Sequence, residues 1–124
     1  NIQEDYENEN LLFLGTEFGL YITLNGGGSW YKFTNNFPSV NVHYIELHKK
    51  TNDLVVATHG RGIIILDDIS LLRQLNEESM KKDLHFFTTK PTYIAEANGF
   101  GGASTETQFV GANPTSAARI IYHP

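Results

Sequence analysis

The sequence contains no cysteine, one methionine and one tryptophan. Without cysteine, disulfides and thiolate metal sites are excluded, while the redox compartment stays open. No apolar run is long enough to span a bilayer and no signal peptide is visible, so membrane insertion is not expected. Positive charge is also scarce: nine Lys and Arg face fourteen Asp and Glu, a formal charge of −5. Basic residues adjoin only at Lys49-Lys50, Lys81-Lys82, which argues against nucleic acid or an anionic membrane surface as a partner. What remains, 40% hydrophobic residues over 124 positions, fits one small globular domain. The first residue is Asn1, and the last run, Ala118 to Tyr122, is strand-like, so the chain reads as a piece of something longer.

The chain is organised around Thr23 to Trp30, Thr-Leu-Asn-Gly-Gly-Gly-Ser-Trp, set between strand-like Leu20-Tyr21-Ile22 and Tyr31-Lys32-Phe33. A polar turn between two apolar runs signals a β-hairpin. Asn25 is expected to accept a hydrogen bond from the backbone two residues on, an Asx-turn. Gly26, Gly27 and Gly28 are expected to supply positive φ, which glycine adopts without steric penalty. Trp30 should fold its ring back under the loop and direct its indole N–H to an acceptor.

The remainder repeats that layout. Asn1 to Asn10 is acidic and amide-rich and reads as a surface loop. Leu11 to Gly15 and Leu20 to Thr23 read as strands around a Thr16-to-Gly19 turn. Then Val42–His48, Leu54–Thr58 and Ile63–Leu66 read as three more strands. Aligning Leu12–Thr16 with Leu54–Thr58 gives a repeat of about 42 residues, the length of a propeller blade, with one extra residue in the second turn. Leu11–Leu14, Leu54–Ala57 and Ile63–Leu66 are continuously apolar, the pattern of strands covered on both faces. Two units alone would leave outer faces bare, so the missing partners are expected outside this chain or in another copy of it. Asp68 can cap a short helix in which Ile69, Leu72 and Leu75 share a side, fading through Asn76 to Lys82. His85–Thr88 and Thr92–Ile94 could supply an outer strand of the second unit; the rival expectation is that a missing N-terminal segment closes the ring there. Asn98 to Gln108 has the composition of a linker.

The octet resembles the Asp-box of BNR repeats in its short form, with Thr23, Gly26, Gly27, Ser29 and Trp30 matching and Asn25 where Asp is usual. In that family the box is a folding element between blade strands, away from the catalytic face. The second unit narrows the likeness. Asp53-Leu-Val-Val-Ala-Thr-His-Gly-Arg-Gly-Ile-Ile-Ile-Leu-Asp-Asp-Ile69, continued by Leu72 to Leu75, resembles the last blade of sortilin-like BNR-repeat proteins of the glycosyl hydrolase type. The resemblance implies an all-β fold: C-terminal blades of a BNR-type β-propeller over 1–97 (units about 11–41 and 42–94), a linker over 98–108, and the start of a β-sandwich over 109–124. Gly111-Ala112-Asn113-Pro114 is similar to the entry of that sandwich. It further implies a large secreted or cell-envelope protein acting as a binding or scaffold module for protein or glycan ligands, its partners being the remaining blades. The alternative it implies is a glycoside hydrolase whose catalytic carboxylates lie in blades outside this chain.

No catalytic residue is expected within the chain, and no cofactor. Adjacent strand residues such as Asp67 and Asp68 point to opposite faces, whereas glycosidase carboxylates face one another across roughly 5 to 9.5 Å. Glu17 and Glu46 are isolated. Sialidase chemistry needs converging arginines, and Arg61, Arg73 and Arg119 fall in a turn, a helix and a separate module. His43 and His48 would face opposite ways, so no metal site follows. Tyr21, Tyr31, Tyr44 and Phe18 could form a sugar platform but read better as core. His59 and Arg61, flanking Gly60 in a turn, are the candidate binding residues, against a purely structural role in which Arg61 pairs with Asp67 or Asp68.

Overall fold

The computed structural model describes residues 1–92 and 117–124. Among these the fold is all-β apart from two short helices, and every strand pairing is antiparallel. Strands β1 (Ile2–Glu4), β2 (Leu12–Thr16), β3 (Gly19–Thr23) and β4 (Tyr31–Lys32) form a four-stranded meander. Strands β5 (Val42–His48), β6 (Asp53–Thr58) and β7 (Ile63–Leu66) form a three-stranded one. Helices α1 (Ser70–Gln74) and α2 (Glu77–Lys81) follow, and β8 (His85–Phe87) pairs with β9 (Ile121–His123).

The expected loop at the N-terminus is part strand. Its acidic residues hide β1, which pairs Ile2 with Leu14, Gln3 with Phe13 and Glu4 with Leu12. Reciprocal backbone bonds between Asn1 and Gly15 extend that pairing. The two meanders then share a register. Leu12, Phe13, Leu14 and Gly15 pair with Thr23, Ile22, Tyr21 and Leu20. Leu54, Val55, Val56 and Ala57 pair with Leu66, Ile65, Ile64 and Ile63 in the same order. On the other side Ile2 opposes Leu14 as Ile45 opposes Val56.

The sheets stack face to face on a single core. Leu11, Phe13, Leu20 and Ile22 of the first meander meet Val42, Ile45, Leu47, Leu54 and Val56 of the second, and Phe37 and Ile69 belong to the same core. Gly15 lets the backbones approach: a Cβ there would lie 2.5 Å from Val42 Cγ1. Within the chain the continuous apolar runs find cover on one face only, and the expected partners for the other face are not part of the described residues. Burial alternates along β2 and β6, and the far face of β7 leaves Ile63 and Ile65 in solvent.

The helical segment also differs from expectation. Asp68 does not cap α1; it sits one residue before the N-cap Ile69, in left-handed conformation. Its carboxylate accepts from the Ser70 N–H and hydroxyl. The helix does not fade beyond Leu75. Asn76 starts α2 with a reciprocal capping box to Ser79, satisfying two otherwise orphaned donors. Strand β8 does not extend the second meander; it pairs with β9, across the segment read as a linker. The expectations for Tyr93, Ile94, 98–108 and 109–116 lie outside the described residues. No helix among the described residues is long and apolar enough to cross a membrane.

Candidate functional site

The Thr23–Trp30 loop is built by its two polar side chains. The Thr23 hydroxyl accepts from the N–H groups of Asn25 and Gly27, the latter at 3.0 Å, and donates to Asn25 Oδ1 at 2.9 Å. Asn25 Oδ1 in turn accepts from the Ser29 N–H at 2.8 Å. The Asn25 bond therefore spans four residues; the contact two residues on belongs to Thr23. Gly26 and Gly27 take positive φ, and Gly28 does not. At Gly28 the constraint is space, since a Cβ would meet the Asn25 amide at 3.2 Å. The Trp30 ring lies over Gly27 but stays 36% exposed, so it covers the loop instead of entering the core.

The His59-Gly60-Arg61-Gly62 turn joins β6 to β7. It is closed by Thr58, whose N–H and hydroxyl both donate to the Gly62 carbonyl, and by the His59 N–H donating to Asn41 O at 2.9 Å. Gly60 and Gly62 supply the positive φ that this tight return requires. All four residues are exposed. Arg61 has no ion-pair partner among the described residues; Asp68 pairs instead with Lys90 at 3.7 Å. The structure adds a neighbour that strand alternation does not reveal. A bulge between Val42 and Tyr44 leaves His43 outside the β5–β6 pairing, and bulges re-aim side chains. His43 Nε2 lies 3.4 Å from His59 Nδ1. His48 is separate and meets Thr51 Oγ1.

Asp67 and Asp68 line a pocket of about 610 Å³ together with Asp53, Lys90 and Arg119. Burial pushes the Asp53 carboxyl up. The Thr51 hydroxyl, the Asp68 N–H, Lys90 and His48 outweigh it and hold Asp53 below its ordinary value. A general acid needs the opposite shift. Arg73 and Arg119 line different pockets, and Arg61 lines neither.

Arg73 makes the contact least visible in the sequence. Its Nε and Nη2 each donate to Asp5 at 2.8 Å, and Nη1 reaches Glu7 at 2.9 Å. The guanidinium carbon lies 4.6 Å from the Tyr6 ring centre, and the Tyr6 hydroxyl bonds Lys49 O and Asn52 Oδ1. Burial pulls the Arg73 pKa down, but bonds to Asp5 and Tyr6 and the charges of Asp5 and Glu7 raise it overall. Arg73 thus ties the acidic segment to α1 and the second sheet. The aromatic platform does not form as core: Phe18, Tyr31 and Tyr44 are exposed and Tyr21 is half-buried. Glu46, by hydrogen bond and then by charge, and lastly slight burial raise the Tyr44 pKa. Among the described residues no group of three or more His, Asp or Glu could hold a metal ion. Comparison of the chain with protein-family models, curated proteins and solved structures gives no match.

Proposed function

We propose that this chain is the closing part of a BNR-type β-propeller, exported with its parent, that serves as a binding or scaffold module for protein or glycan ligands. Its further partners are the remaining blades. The observation that carries the reading is the repetition of one meander, register for register, with a box-like hydrogen-bond network on Thr23 and Asn25 closing the first copy. Repeats of this size stack because no unit buries its apolar face alone. In such an arrangement the ligand meets turns at the sheet ends, and His59 and Arg61 occupy an open one. Arg61, exposed and free of ion pairs among the described residues, suits a carboxylate or other anionic group on that ligand.

Immobilised glycans and peptides screened against the full chain test the proposal. Binding is expected, and Arg61→Ala should weaken it roughly ten- to a hundredfold, the loss of charge-assisted hydrogen bonds. A chain that captures nothing, or binds equally well without Arg61, removes the reading.

A further inference from the structure

The shared register makes the paired residues of β1 to β3 counterparts of those of β5 to β7. Phe13, Leu20 and Ile22 correspond to Val55, Ile63 and Ile65, whereas Ile2, Leu12 and Leu14 correspond to Ile45, Leu54 and Val56. Within the chain, the Phe13 face of the first unit packs on the Ile45 face of the second. The interface is therefore heterologous: it joins two different faces of one repeated unit.

Each partner face also exists a second time, with its edge positions exposed and, on the first unit, Leu12 and Leu14 half-buried. On the second unit Ile63 and Ile65 are 69% and 56% exposed, where their counterparts Leu20 and Ile22 are 0% and 7% exposed. On the first unit Ile2 is 57% exposed, against 1% for Ile45. The aliphatic positions buried at the inner interface recur on both outer faces, while Glu4, Tyr21 and Thr23 stand where the buried face has Leu47, Ile64 and Leu66. We infer that the two open faces are complementary to each other, and that the Ile63–Ile65 face of one molecule docks on the Ile2–Leu14 face of a second copy, head to tail. Such contacts propagate into a ring or a filament and cannot form a two-fold dimer. The inference rests on the repeat-stacking half of the proposed function and not on any ligand: for this chain by itself, the second copy takes the place that the remaining blades take in the parent.

Sedimentation velocity on the full chain, with two variants at exposed positions, tests it. Wild type should form species larger than a dimer as concentration rises. Ile65→Asp blocks one face and Ile2→Asp the other, and each alone should be monomeric, with association weakened about a hundredfold or more. Both are solvent-facing, so circular dichroism and a thermal transition should report folded chains. Mixed, the two variants should give a 1:1 dimer through the one intact pair of faces. A monomeric wild type overturns the inference. So do association that survives both substitutions, variants whose mixture stays monomeric, and a wild type that only aggregates irreversibly. Ligand capture at the Arg61 turn is read separately, so a failure here and a failure there are told apart.

Discussion

Replacing Arg73 with alanine should destabilise the chain by about 3 kcal/mol or more. The Asp5 side chain is fully buried and Arg73 is only 10% exposed. Truncating Arg73 removes two charge-assisted hydrogen bonds of 2.8 Å and leaves a carboxylate facing only the N–H groups of Glu7 and Asn8. Losing one partner of a buried pair costs about 3–5 kcal/mol, because the other charge stays desolvated. The two remaining donors place Asp5 at the low end of that range. The bond to Glu7, whose side chain is more than half exposed, adds about 0–1 kcal/mol, so Glu7→Gln should be mild. Arg73→Lys should fall between, since an ammonium cannot donate in a planar fork. Urea unfolding at one fixed protein concentration reads these differences as a shift of midpoint at constant slope. The double variant Asp5→Ala with Arg73→Ala should lose much less than the sum of the singles. An Arg73→Ala chain that unfolds with wild type would refute the hub.

Three further outcomes follow. Gly15→Ala should destabilise by about 1–3 kcal/mol, as an overpacked core does, because its Cβ collides with Val42; a melt reads it. Trp30→Ala should cost less than a fully buried aromatic, about 1–2 kcal/mol by area, while Asn25→Asp keeps the acceptor for Ser29 and should change the melt little. Asp53 is held below its ordinary pKa of 3.8. Its contribution is therefore full above the unfolded pKa and is lost as pH falls through the lower folded value. Asp53→Asn should reduce stability at neutral pH and flatten that acid limb in a pH series of melts.

The sequence discloses the strands whose apolar patterns stand alone. Strands β5 and β7 run as read, and the 42-residue spacing corresponds to a common register. Strand β1 escapes because Gln3 and Glu4 carry no apolar signal; only pairing with Leu12–Leu14 defines it. The second cover that the Ile63–Leu66 run calls for is not supplied within the chain, where Ile63 and Ile65 stay exposed, and composition does not say which neighbour would supply it. Asn25 and Thr23 are legible as turn formers, but which hydroxyl or amide takes which N–H depends on loop geometry. The His43–His59 contact depends on a bulge, and the Asp5–Arg73 pair joins residues 68 apart. Neither leaves a local trace.

The central claim, two copies of one meander stacked through their inner faces, is tested most directly by a ¹³C-edited NOESY spectrum. The Ile65→Asp chain, with its outer face blocked, is the sample of choice. Cross-peaks are expected from the Gly15 α-protons to the Val42 γ-methyls and the Ile45 δ-methyl, which lie against Gly15. Strand-pairing contacts within each meander without any cross-peak from Gly15 to Val42 or Ile45 would contradict it.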